Sequence, residues 1–220
     1  MFKTETHLHT CEVSACGKKH ATELVRLYKE RGYTTVFVTD HFQPNSLDAL
    51  GDLPWEDKVT VFLSGYYKAK QLGDQLGVTV LPGAEICFPE APNHYLAYGI
   101  TRQFLNAHPD LHKVGIEAFR KIAREEGIFI VQAHPYRDGH CFPTPEYADA
   151  IEVYNSNPRH EDHSELAEKM AIEHSLPMTA GSDTHRDEDI AGTGVLSEAP
   201  IRSAEDYIAL LKSGKAQIIK

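Results

Sequence analysis

The chain has 220 residues, a length suited to one domain with a sizeable core, so a single domain over 1–220 is expected. A net charge of −10 argues against a nucleic-acid binder working through a broad basic face. No long uncharged apolar segment and no signal-peptide pattern occurs, so a soluble, cytoplasmic chain without membrane contact is expected. The four cysteines (Cys11, Cys16, Cys87 and Cys141) form no C-x-x-C pair, which fits reduced thiols, and the 13 histidines are an excess that metal binding explains most simply.

Strand-like runs alternate with helical patterns, the signature of βα units. The first run, 2–9, ends in His7-Leu8-His9; side chains two apart on a strand share a face, so both imidazoles can reach one ion. The loop from Thr10 to Lys19 leads to a helix over 22–31, with Thr22 as N-cap, Leu24, Leu27 and Tyr28 as the apolar stripe, and Gly32 closing it. A β-branched strand over 34–39 ends in Asp40-His41. Residues 42–57, with Pro44, Gly51, Pro54 and the only tryptophan, Trp55, read as a long loop that serves as a lid, a substrate wall or a surface excursion.

A helix over 58–76, stopped by Gly77, precedes a strand over 78–86 that carries Glu85. His94 starts its strand, 94–100, where the other candidates end theirs; a sharp turn over 88–93 would return it to the rim beside Glu85. Then follow a helix over 111–126, a strand over 128–134 ending in His134, a strand over 150–155, a helix over 164–174, a strand over 178–183 leading into Asp183-Thr184-His185, and a helix over 204–212. About seven strands with ligands at their ends predict an α/β fold, a distorted TIM-barrel-like (β/α)7 barrel whose site lies on one rim. A doubly wound sheet would gather ligands at a single crevice instead.

Taken together, His7-x-His9, Thr39-Asp40-His41, Gly83-Ala84-Glu85, His94, Ala133-His134-Pro135 and Gly181-Ser182-Asp183-x-His185 resemble, over nearly the whole chain, the PHP (polymerase and histidinol phosphatase) family of metal-dependent phosphoesterases. The resemblance implies a seven-stranded barrel and a trinuclear centre of zinc, manganese or iron, with two or three divalent ions as cofactors. His7, His9, Glu85 and Asp183 would hold the first ion. Glu85 would bridge to a second, completed by His94 and His134, and His41 and His185 would hold a third. Many members supply a further Asp or His to that third ion from the loop after the first histidine pair. Here Glu12 is the favoured ligand, with Cys16 and His20 as the other candidates.

Glu85, Asp183 and His134 are the candidate catalytic residues. The implied substrate is a small phosphorylated metabolite, a sugar, nucleotide or histidinol-phosphate-like ester, hydrolysed by metal-activated water. Arg137 and Arg159 lead the candidates for gripping phosphate, because a guanidinium matches it bidentately; Lys18, Lys19 and Arg186 lie near the same rim in sequence. Asn155 could orient a ligand or cap its strand. Of the remaining histidines, His108, His112 and His174 read as surface residues, His160 and His163 could face the pocket, and His140 and Cys141 lie near the rim in sequence. The alternatives are an amidohydrolase-type metal hydrolase, disfavoured by the Thr-Asp-His and Ser-Asp-x-His pairs, and a PHP module acting as a nuclease or as a non-catalytic metal-binding domain.

Overall fold

In the computed structural model, which describes residues 1–137, 141–190 and 192–220, strands and helices alternate along the chain. They are β1 (Phe2–Glu5), α1 (Ala21–Glu30), β2 (Tyr33–Val38), β3 (His41–Phe42), α2 (Pro44–Leu47), α3 (Trp55–Phe62), α4 (Ser64–Leu76), β4 (Thr79–Cys87) and β5 (His94–Tyr98). The second part contains α5 (Arg102–Ala107), α6 (Ile116–Glu126), β6 (Phe129–Gln132), β7 (Ala150–Asn155), α7 (Ser164–Glu173), β8 (Met178–Gly181), β9 (Gly194–Ser197), α8 (Ala204–Lys212) and β10 (Gln217–Ile219).

The strands form one sheet in the order β10-β9-β1-β2-β4-β5-β6-β7-β8, with the short β3 also paired to β4. Neighbours from β1 to β4 and from β6 to β8 run parallel, whereas β5 is antiparallel to both β4 and β6. Past its regular part, the continuation of β1 meets that of β8 through a parallel bridge between Leu8 and Thr184. Asp183 N–H donates to the His7 carbonyl at 2.8 Å and His9 N–H to the Thr184 carbonyl at 3.0 Å. These bonds bring the sheet to a nearly closed barrel, as the βα alternation predicts. The outer edge of β1 is covered by β9, which β10 extends, both antiparallel.

Helices pack on the outside through apolar faces at helical spacing: Ala21, Leu24, Val25 and Tyr28 of α1 are buried against Val36 and Val38, and Ile116, Phe119 and Ala123 of α6 against the β4–β6 side. Several boundaries depart from the sequence reading, each for a physical reason. Residues 6–9 leave the regular ladder to make the closure just described, so β1 is shorter than 2–9. Helix α1 starts at Ala21, capped by His20 with Glu23 reaching back to the His20 N–H, so Thr22 is inside the helix. Segment 42–57 is not an open loop, since it holds β3, α2 and the first turn of α3, with Phe42, Leu47 and Trp55 packed on the core. The helix expected over 58–76 is two helices, α3 and α4, meeting at Leu63.

Candidate metal centre

Because β5 runs against its neighbours, the start of β5 and the ends of the parallel strands share one rim, and Cys87 pairs with His94 two residues after Glu85. The antiparallel turn thus returns His94 to Glu85, whose Oε1 lies 2.8 Å from His94 Nδ1. The same oxygen is 3.2 Å from His134 Nε2 and 3.3 Å from His7 Nε2. The other oxygen, Oε2, is 2.7 Å from His41 Nδ1 and 3.5 Å from His9 Nε2. Asp183 Oδ1 closes the group at 3.2 Å from His9 Nε2 and 3.5 Å from His7 Nε2. One buried carboxylate therefore faces five imidazoles from four places in the chain.

In three rings of the site, His7, His9 and His185, the protein holds the outer nitrogen, which leaves the inner one to face the centre. His7 Nδ1 is 2.9 Å from Glu152 Oε1, His9 Nδ1 is 3.3 Å from Ser14 Oγ, and His185 Nδ1 is 2.8 Å from the Asp183 carbonyl. Orientation of a ligating histidine by a carboxylate, hydroxyl or carbonyl on its far side is the usual support of a metal site. The inner atoms are crowded, and hydrogen bonding does not satisfy all of them. His7 Nε2 and His9 Nε2 lie 3.1 Å apart, and buried His41 Nδ1 and Glu85 Oε2 lack hydrogen-bond geometry despite their proximity. Convergent lone pairs of imidazole and carboxylate fit a divalent cation of the zinc, manganese or iron type. His9, His41 and His185 form one potential ligand group, His7, His9 and Glu85 a second, and His41, Glu85 and His94 a third.

The electrostatics follow from this crowding. Burial alone would raise the Glu85 and Asp183 carboxyls, yet His94, His7 and His41 around the first, and His7 and Arg137 beside the second, hold both well below the carboxylate range. Burial is offset at His41 and His94 by the Glu85 charge, which lifts each to about 10. At His134, burial and the Arg137 charge push the imidazole down to about 4. His134 and Asp183 also adopt positive φ, 28° and 51°, where a side chain is strained and which a surrounding site must enforce.

Gly181 explains why the Gly-Ser-Asp-x-His motif begins as it does: a Cβ there would lie 2.5 Å from His7 Cβ and 2.8 Å from Glu152 Oε1. Supporting groups the motifs did not single out include Glu152, which also accepts from His134 N–H at 3.0 Å and Asn155 Nδ2 at 2.9 Å, and Glu5, which accepts the N–H groups of Thr6, His7 and Ser182. Both are charged residues buried inside strands, the one signal in the sequence that could have marked them. Asp40 does not face the centre. It binds Thr10 N–H, Thr10 Oγ1 and Ser14 Oγ, which fixes the loop after His9.

Other expected residues are placed differently. Glu12 does not swing toward His41 and His185: its carboxylate accepts from Ala21 N–H at the start of α1 at 3.0 Å, with His20 at 3.3 Å and Lys68 at 3.6 Å. The residue beside His41 is Cys16, with Sγ 3.2 Å from His41 Nε2. Arg137 and Arg159 both line a cavity of about 210 Å³ over the centre, together with His41, His94, Asp183 and His185. Each arginine holds a carboxylate, however: Arg137 that of Asp183, and Arg159 that of Asp189. Lys19 is paired to Asp187 at 2.7 Å, while Arg186 and His160 line the cavity mouth. His163 is 3.8 Å from Glu161. His112 is not a surface residue; it is fully buried, stacked on Trp55 with ring centroids 5.9 Å apart. His140 lies outside the described residues, and Cys141 Sγ is 3.7 Å from His134 Nδ1. Among the described residues no helix is long and apolar enough to cross a membrane.

Residues 161–216 match the family described as PHP-associated. No curated protein matches the sequence. Among solved structures, the chain is similar to a two-domain protein from Bacteroides vulgatus containing a predicted PHP-like metal-dependent phosphoesterase, with 20% identity and a TM-score of 0.70 over 99% of this chain and 64% of that one. It is similar to an amidohydrolase from Chromobacterium violaceum with bound sulfate, with 15% identity and a TM-score of 0.61 over 99% and 98% of the two chains. It is also similar to a lesion-specific endonuclease from Pyrococcus furiosus, with 17% identity and a TM-score of 0.65 over 99% of this chain and 57% of that one. The chain thus spans less than two thirds of the first and third of these proteins. At such identities the likeness is one of fold, and with the matched segment it bears out the resemblance read from the motifs.

Proposed function

We propose that this PHP-fold chain is a metal-dependent hydrolase of phosphate esters, working as one unit over 1–220. The observation that carries the reading is Glu85, a buried carboxylate whose two oxygens face different histidines: His7, His94 and His134 on one side, His9 and His41 on the other. That division suits a carboxylate shared by two cations. His7, His9, Glu85 and Asp183 would hold one ion, Glu85, His94 and His134 a second, and His41 and His185 would hold a third. When bound, such ions lower the pKa of a water toward about 7 and offset charge on phosphoryl oxygens.

The chain's own groups do the rest. Glu152 fixes the tautomer and tilt of His7, Ser14 that of His9, and the Asp183 carbonyl that of His185, so the ligand atoms are oriented in advance. Arg137 and Asn157 hold the Asp183 carboxylate in place. Arg137 is thereby a positioning residue whose guanidinium also faces the cavity, while Arg159 and Arg186 line it paired with Asp189 and Glu188, carboxylates that an arriving phosphate would compete with. A cavity of about 210 Å³ suits a phosphate on a small organic group. The substrate class is therefore a small phosphomonoester, a sugar, nucleotide or amino-alcohol phosphate.

A hydrolysis panel tests this with the metal-loaded chain: small phosphomonoesters, cyclic amides, and duplex DNA carrying a damaged base. Turnover of phosphomonoesters, abolished by chelation and restored by zinc, manganese or iron, is the expected result. Turnover confined to the amide or the DNA would overturn it.

A further inference from the structure

We propose that Cys16 completes the third ion site with His41 and His185, so that this position holds its ion through sulfur as well as nitrogen and selects a thiophilic divalent metal such as zinc. The inference rests on the metal-centre reading above and goes beyond it in naming a ligand and a metal preference. The argument begins with the loop between His9 and α1. Asp40 pins its first half through Thr10 and Ser14, and Ser14 Oγ in turn accepts from His41 N–H at 3.1 Å. Its far end is tied to the other side of the site, where Lys18 N–H donates to the His185 carbonyl at 2.7 Å. Gly17 makes this turn tight, since a Cβ there would meet the Thr10 carbonyl at 3.0 Å. Anchored toward His41 at one end and His185 at the other, the loop delivers Cys16 to the cavity that both histidines line.

The donor atoms fit that assignment. Cys16 Sγ is 3.2 Å from His41 Nε2, and Cys16, His41 and His185 line the same cavity. His185 Nδ1 is taken by the Asp183 carbonyl at 2.8 Å, which leaves its Nε2 for a ligand. His41 is nine-tenths buried, with Nδ1 toward Glu85 Oε2 at 2.7 Å and Nε2 toward Cys16. The acidic rival, Glu12, is held at the start of α1. Thiolate favours zinc over manganese, which prefers oxygen.

The test uses metal-free chain reloaded with zinc or with cadmium as the probe. Elemental analysis should find one ion fewer in Cys16→Ser than in wild type, and the sulfur-to-cadmium charge-transfer band should vanish in Cys16→Ser but persist in Cys11→Ser and Glu12→Gln. In unmutated chain, which needs no variant to fold, zinc should protect Cys16 from iodoacetamide while manganese should not. A Cys16→Ser protein with the full ion count and band, loss of the ion in Glu12→Gln, or zinc-independent alkylation of Cys16 would overturn the assignment while leaving the rest of the centre standing. A wild-type chain that takes up no ion would instead sink the centre itself, and this inference with it.

Discussion

A carboxylate that faces five imidazoles tolerates few replacements. Glu85→Gln keeps the volume but removes the negative charge between the two proposed cation sites, so ions bound there would repel one another unscreened. We expect loss of at least one ion and of nearly all phosphatase turnover; an ion-replete variant with full activity would show that the bridge is misassigned. Glu152 acts one step further out, on His7, and also satisfies His134 N–H and Asn155 Nδ2. Groups in that position are worth roughly 10–100-fold in metal affinity, and each buried donor left unpaired costs about 1–3 kcal/mol. Glu152→Ala should therefore weaken metal binding by that factor and lower the melting temperature of the metal-free chain as well. Weakened binding without the thermal loss would contradict its place in the backbone network. Gly181 is the opposite case, a residue whose absent side chain matters. Gly181→Ala would press on His7 and Glu152, and overpacking of this kind costs about 1–3 kcal/mol. Calorimetry that finds wild-type stability in this variant would show that the two strands can move apart freely.

At the scale of elements, the histidine in the short helical turn before α6 separates what a sequence shows from what it conceals. Read alone, His112 lies at a helix edge and looks exposed; in the fold it is buried between Phe42 and Trp55, with Asp48 Oδ1 3.2 Å from its Nε2. Burial, aided by Lys113, lowers its pKa below 6.5 despite Asp48. A base depressed in the folded state contributes stability that is whole above the unfolded value of 6.5 and is lost as pH falls through the folded value. His112→Phe keeps a stacked ring and cannot titrate, so its melting temperature should fall less steeply than that of wild type below pH 6.5. Parallel curves would refute the assignment. The same contrast governs legibility elsewhere. Strand β7 and helix α8 were readable to the residue because each carries an unbroken pattern between clear stops. The rim position of His94 was readable too, because only an antiparallel turn could bring it beside Glu85. Segment 42–57 was not, because its prolines and glycine mask a core contribution from Phe42, Leu47 and Trp55 that depends on distant partners. Strands β9 and β10 are short, at 4 and 3 residues, and become strands by pairing, β9 along the edge of β1 and β10 along β9. Glu12 was misplaced because nothing local reveals that the first turn of α1 claims its carboxylate.

For the molecule as a whole, the centre lies where the barrel closes. The backbone pairing that joins the β1 and β8 segments lies beyond their regular ends, in the Leu8–Thr184 bridge and the bonds around it. Behind that joint, Tyr28 Oη, Ser182 Oγ and Thr184 Oγ1 form a buried hydrogen-bonded triangle with sides of 2.7, 2.7 and 2.6 Å, which ties α1 to the same seam. The proposed ligands follow β1 and β8 and also come from β3, β4, β5 and the end of β6, so bound ions would cross-link strands around much of the barrel. Ions that bind the folded chain alone stabilise it by about 2.7 kcal/mol per site at a hundredfold excess over Kd. For a chain of this size, 1 kcal/mol corresponds to roughly 2–4 °C in melting temperature. Zinc should thus raise Tm by about 5–10 °C for each filled site, and chelation should reverse the gain. Tyr28→Phe, which removes the hydroxyl behind the seam but no proposed ligand, should lower Tm both with and without metal. If the closure positions Asp183 and His185, the variant should also bind zinc more weakly, so that its thermal gain on loading is smaller than that of wild type. An undiminished gain would mean that the ligands, and not the hydrogen bonds behind them, set the geometry of the seam.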